Sequence, residues 1–162
     1  MRHVFLGLCV LLVGCAKAST IPLAKDTLQI TSSAAPVCGV TGAQSVALRQ
    51  AAVETIRHGY DNFVIVGSQY QNNVGVVGYT PVVANTTGSV TAMGYGNSAT
   101  AFGNSTTMYS GGQPIIAGTH NQSFVVKMFK EGDRAGGEAV SARGTLGPKW
   151  QDAVAQNSHT CL

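Results

Sequence analysis

The side chains able to do chemistry are few and scattered. Beyond Ala18 the acids are Asp26, Glu54, Asp61, Glu131, Asp133, Glu138 and Asp152, and the histidines are His58, His120 and His159. Catalysis needs such groups to converge on one reacting centre. No nucleophile-elbow motif, zinc-protease helix or phosphate-binding glycine loop brings them together. A Ser–His–Asp set built from His120 and a serine has no motif behind it. Gly94-Tyr-Gly96 lacks the strand-to-helix setting of a dinucleotide fingerprint. His159-x-Cys161 supplies at most two metal ligands, short of the four of a structural zinc site. His58 lies where a helix is expected to end, and an imidazole there suits the negative end of the helix dipole. The expectation is a non-enzymatic protein with no cofactor, no metal and no small-molecule substrate. The Asn-x-Ser/Thr triplets at Asn85, Asn104 and Asn121 matter only in a eukaryotic secretory pathway.

The cysteines are more informative, and the N-terminus decides how to read them. Arg2 and His3 form a short positive head, and Val4 to Val13 is apolar throughout. A secretory signal has this layout, with an apolar core of roughly 7–15 residues. The run falls short of the about 20 apolar residues that span a bilayer. It has no polar face, so it fits poorly as a surface helix of a globular domain. Leu12-Val13-Gly14-Cys15 resembles the lipobox of bacterial lipoproteins. That resemblance implies diacylation of the Cys15 thiol, cleavage just before it and further acylation of the new amino group, palmitate being an expected chain. Two or more acyl chains anchor stably, each buried CH₂ contributing about 0.8 kcal/mol. Ala16 follows the cysteine where aspartate would imply retention, so the resemblance implies an outer-membrane address facing the periplasm. The alternative is an ordinary signal peptide cut near Ala16 or Ala18. Cys9 leaves with the signal, and Cys38 and Cys161 remain. In an oxidising periplasm an even pair reads as a disulfide.

Charged residues make up 10% of the chain, against roughly 25% in an average soluble protein, and the formal net charge is +3. Lys127, Lys130 and Arg134 are interleaved with Glu131 and Asp133, which suits a solvated strand end. This is too weak and dispersed for a nucleic-acid surface. The expected contacts are the membrane, through the lipid, and an envelope protein partner.

The elements that must position these residues follow from pattern. The expected organisation is a signal over 1–14, Cys15 and a tether over 15–25, and one domain over 26–162, interrupted by a low-charge insertion over 71–122. Leu28 and Ile30 alternate with polar neighbours, as in a half-buried strand. Pro36 and Gly39 mark a turn around Cys38. Thr41-Gly-Ala-Gln44 reads as a capping box. Leu48, Ala52, Val53 and Ile56 then fall at helical spacing, and Gly59 suits the position after the helix end. Phe63 to Val66 reads as a buried strand. Phe124, Val126 and Met128 share one face of another. Glu138 to Leu146 is a weak helix interrupted by Gly144. Pro148 suits a first helical position, and Leu146, Trp150 and Val154 suit a core cap. Trp150 has a second reading as a ligand-binding aromatic. The predicted fold is α+β, a small antiparallel sheet packed on one main helix.

The stretch Ala51-Ala-Val-Glu-Thr-Ile-Arg-His-Gly-Tyr-Asp-Asn-Phe-Val-Ile-Val66 resembles a helix–Gly-Tyr-Asp–strand module of small envelope lipoproteins, many of them alphaproteobacterial. That resemblance implies a fold and an address and no chemistry. From the residues themselves, Gly59 ends the helix, Tyr60 packs back on it and Asp61 starts the turn into the strand.

The insertion stands apart. No Asp, Glu, Lys or Arg occurs from Asn62 through Val126, and Gly, Asn, Ser, Thr, Ala and Val dominate. Such a segment cannot bury a conventional core. Thr91-Ala-Met-Gly-Tyr-Gly-Asn-Ser98 is echoed by Thr100-Ala-Phe-Gly-Asn-Ser105, which suits a β-hairpin or flexible ribbon. It also resembles the short repeats in the heads of trimeric autotransporter adhesins, but two copies cannot bury a face of their own. The functional expectation is a structural or accessory envelope lipoprotein. The alternative is a surface binding protein or adhesin using this Gly/Asn/Ser/Tyr-rich segment, a composition that makes adaptable contact surfaces.

Overall fold

The computed structural model describes residues 16–133, 138–156 and 161. The signal segment, Cys15, Arg134 and His159 lie outside the described residues. The described residues fall into two compact units, one from residues up to 74 together with those from 118 on, and the other from Gly75–Ala117.

The first unit is a five-stranded antiparallel sheet covered by a long helix, the expected α+β fold. The strands are β1 (Ala16–Ala24), β2 (Thr27–Ala34), β3 (Asn62–Asn72), β8 (His120–Phe129) and β9 (Val140–Ser141), in the spatial order β1-β2-β8-β3-β9. The helix α1 (Gly39–Arg57) lies on the connection from β2 to β3. In β2 the alternation holds residue by residue, with Leu28, Ile30, Ser32 and Ala34 buried. β8 answers in register, Leu28 facing Val126 and Ile30 facing Phe124, while Phe63 of β3 faces Met128. Each fully buried side chain of this size contributes about 1.5–3 kcal/mol relative to an exposed one.

Four expectations need correction. The segment 15–25 is no loose tether from Ala16 onward, because β1 pairs with β2 from Ala16↔Ala34 to Ala24↔Thr27. Its small and polar residues look like a linker, and only the partner strand makes them an edge strand. The capping box at Thr41 does not form. A 3₁₀ turn at Pro36–Cys38 leads directly into α1, which starts at Gly39 with no side-chain cap. On α1 the expected Ala52 and Val53 are buried, together with Ala43, Val46, Ala47, Gln50, Ala51 and Thr55, while the expected Leu48 and Ile56 are only partly buried. Alanines let the helix axis approach the sheet, so the small residues go deepest. Finally, β3 is fully buried only at Phe63; Ile65 and Val66 are exposed, and a bulge follows between Ile65 and Gly67.

The helix end follows expectation. Gly59 adopts φ 78°, its N–H donates to the Ile56 carbonyl, and the His58 Nδ1 lies 2.9 Å from the Glu54 carbonyl oxygen. Near the C-terminus, α2 (Ala142–Leu146) starts at Ser141, whose Oγ accepts from the Gly144 N–H. Gly144 therefore sits in the first turn and does not interrupt the helix. α3 (Trp150–Gln156) begins two residues after Pro148. Leu146 packs on the core, whereas Trp150 is half-buried beneath the Arg143 guanidinium, 5.3 Å from the ring centroid.

The second unit contains two antiparallel pairs. β4 (Gly75–Tyr79) pairs with β7 (Pro114–Ala117), and β5 (Val83–Tyr95) pairs with β6 (Ser98–Ser110). The unit is narrower than the insertion read from composition. Gln71, Asn72 and His120 to Gln122 belong to the five-stranded sheet, and Asn73 still donates to the Thr119 carbonyl.

Candidate functional site

Cys38 and Cys161 form a disulfide, with Cα atoms 5.7 Å apart, within the range of unstrained bridges. The bridge ties the C-terminal end of the chain to the start of α1. Gly42, one turn into the helix, faces it. A Cβ on Gly42 would stand 2.8 Å from the Cys38 Cβ and 3.2 Å from the Cys161 Cβ. The missing side chain is the space the bridge occupies.

Asp61 holds more than a turn. Its Oδ2 accepts from the Glu131 N–H at 3.1 Å, and its Oδ1 meets Arg143 at 3.2 Å. Its backbone bonds Phe129 and Ala142. One residue thereby joins the end of β8, the start of β3 and α2. Glu54 acts within α1, taking Gln50 at 2.8 Å and Arg57 at 3.2 Å. Asp61 holds separate elements together, whereas Glu54 braces the last turns of α1 itself.

His120 is not gathered into a catalytic set. Its Nδ1 lies 2.6 Å from the Tyr70 hydroxyl, and the two rings stack at 6.2 Å. The phenol gives the imidazole a fixed orientation. Gln122, which composition assigned to the insertion, is buried, and its amide donates to the Ser68 hydroxyl and to the Gln69 and Ser123 carbonyls. Among the described residues no cluster of His, Cys, Asp or Glu could hold a metal ion, and no helix is long and apolar enough to cross a membrane.

Several concavities occur among the described residues, one of them a polar hollow on the β5–β6 ribbon at Thr87, Gly88, Ser89, Asn104 and Thr106. A cleft of about 410 Å³ between α1 and the sheet is lined by Thr41, Gln44, Ser45, Leu48, Ile65 and Phe124. A polar depression of about 150 Å³ lies on the outer sheet face, at Thr31, Gln69, Gln71, Asn121 and Ser123. A groove of about 300 Å³ at the end of the β5–β6 ribbon is formed by Met93, Tyr95, Phe102 and their neighbours. None of these is lined by Asp, Glu, His, Lys, Arg or Cys. The ribbon groove is the most apolar, and its large side chains stand in solvent, Tyr95 at 95% exposure.

That ribbon is the feature composition hinted at and geometry defines. β5 and β6 pair without a break from Val83↔Ser110 to Tyr95↔Ser98, around a Gly96-Asn97 turn in which Gly96 has φ 57°. Met93, Tyr95 and Phe102 share one face. Val90, Ala92, Ala101 and Gly103 share the other. No family model, curated protein or solved structure matches this chain.

Proposed function

We propose that this chain is a non-enzymatic, lipid-anchored envelope protein that serves a larger assembly through its second unit. The observation that carries the assembly role is the β5–β6 ribbon. Every residue of both strands is exposed, and none is charged. An uncharged surface that holds Met93, Tyr95 and Phe102 out in solvent marks an interaction site more often than a reaction centre. The carboxylates, for their part, are spent on structure at Asp61 and Glu54. Support for the anchor comes from Leu12-Val13-Gly14-Cys15, followed at once by the folded strand β1. The address we propose is the outer membrane, facing the periplasm.

Intact mass spectrometry of membrane-extracted protein tests the anchor. An acylated Cys15 at the N-terminus is expected, and Cys15→Ser should block processing. A soluble product beginning at Ala16 or beyond refutes it. Crosslinking in the native envelope, followed by purification of the lipidated chain, tests the accessory role. A second reading, a surface adhesin, is favoured by the exposed Met93, Tyr95 and Phe102. Labelling of Tyr95 in intact cells by an impermeant reagent separates it from a periplasm-facing protein.

A further inference from the structure

We infer that the β5–β6 ribbon is an assembly edge, and that its partner is the same ribbon of further copies of this chain. A two-stranded hairpin on its own is marginal in water, and three or more strands with a shared face are needed for independent stability. This one has strands of 13 residues each and buries none of them. Among the described residues β5 and β6 pair only with each other, so both outer edges carry N–H and C=O groups that no strand pairs. Proteins blunt such edges with lysine, proline, inward charges, bulges or shortness. From Val83 to Ser110 there is no charged residue and no proline, and the register has no bulge.

The kind of occupant follows from charge. A charged partner finds no counter-charge anywhere from Asn62 through Val126. An identical neutral ribbon meets no repulsion and offers the same row of backbone groups.

Area decides the mode. At about 3.3 Å per residue the ribbon is about 43 Å long. With a width of about 10 Å, two copies packed face to face would bury about 900 Å² in total, below the roughly 1,200–2,000 Å² of stable interfaces. Edge pairing instead adds a full ladder of main-chain hydrogen bonds and makes a wider sheet. Placing β6 of one copy beside β5 of the next keeps the ladder antiparallel and all turns on the same side. Copies anchored in one membrane require that order, and this detail alone rests on the proposed lipid anchor. Each ribbon has two free edges, so the assembly extends past a dimer or closes into a ring.

The test uses the full-length chain extracted in detergent, its N-terminus recorded separately by mass. Sedimentation should show an oligomer larger than a dimer. Thr91→Lys combined with Thr106→Lys should weaken association about tenfold or more. Thermal unfolding of the disulfide-bonded unit should be unchanged by that pair, which excludes simple misfolding. Two differently tagged populations, one carrying Thr87→Cys in β5 and the other Thr106→Cys in β6, positions at the same level of the ribbon, should crosslink to each other with a short bismaleimide. A monomer at tens of micromolar overturns the inference. So does an oligomer indifferent to the lysines, or a monomeric ribbon that instead becomes protected on phospholipid vesicles. Because the tests read the ribbon, a missing lipid leaves their outcome intact and refutes only the anchor.

Discussion

Gly42→Ala sets two effects of opposite sign against each other. Replacing a helix-interior glycine with alanine normally stabilises by about 1 kcal/mol. Here the new methyl would lie 2.8 Å from the Cys38 Cβ and 3.2 Å from the Cys161 Cβ, where carbons prefer about 3.5–4.0 Å. Both obstructing atoms are one bond from the backbone, and the disulfide links their side chains. Neither can swing aside. Overpacking of this kind costs about 1–3 kcal/mol. The steric cost should therefore match or exceed the propensity gain, for a net destabilisation of up to about 2 kcal/mol. With Cys161→Ala the C-terminal segment is released and the second contact disappears. The same Gly42→Ala should then be less harmful by roughly 1 kcal/mol, a coupling that a double-mutant cycle in denaturant resolves. If Gly42→Ala stabilises the oxidised protein by its full propensity gain, the reasoning about the bridge and its space is wrong.

Three further outcomes are expected. Cys38→Ala opens a bridge spanning 123 residues and should cost about 2–5 kcal/mol by equilibrium unfolding. Replacing Gly75–Ala117 with a short turn should leave a cooperative domain, since every core side chain lies outside it. Shortening the connection by three to four doublings adds about 2 kcal/mol of stability if the insertion behaves as a loop, and calorimetry that finds no cooperative transition refutes the division. Asp61→Ala leaves the Glu131 N–H and Arg143 without their acceptor and should cost about 1–2 kcal/mol, read by thermal unfolding, with Asp61→Asn recovering part of the loss.

The parts of the fold that local pattern controls were legible in the sequence. Leu28 and Ile30 alternate because one sheet face is buried, and Phe124, Val126 and Met128 repeat that message on the neighbouring strand. Gly59 ends α1 for a reason confined to a few residues. What escaped depends on partners distant in sequence. Ala16–Ala24 has the composition of a linker and becomes a strand only because β2 offers it an edge. Gln122 looks like the insertion around it, yet Ser68 and Gln69 bury it. Of the expected helix face Ala52 and Val53 are buried, but hydrophobic periodicity weighs Leu48 and Ile56 above Ala43, Ala47 and Ala51, whereas close packing favours the alanines. Of the ribbon, composition disclosed the neutrality and the near-repeat. The unbroken register of β5 and β6, and the sorting of Met93, Tyr95 and Phe102 to one face, come only from pairing.

The edge strand β1 has a mechanical consequence. Many surface proteins hang from their lipid on a long leash that lets the body wander tens of ångströms from the bilayer. If Cys15 carries the proposed acyl chains, this domain would have almost no leash, because paired structure starts at the next residue and consecutive Cα atoms are about 3.8 Å apart. The sheet would then ride against the headgroups and lose much of its freedom to tumble. Its encounters would become those of molecules sliding in a plane with a shared orientation. Such confinement would raise effective concentration without any new contact. A partner of the anchored protein would have to come down to the membrane to meet it.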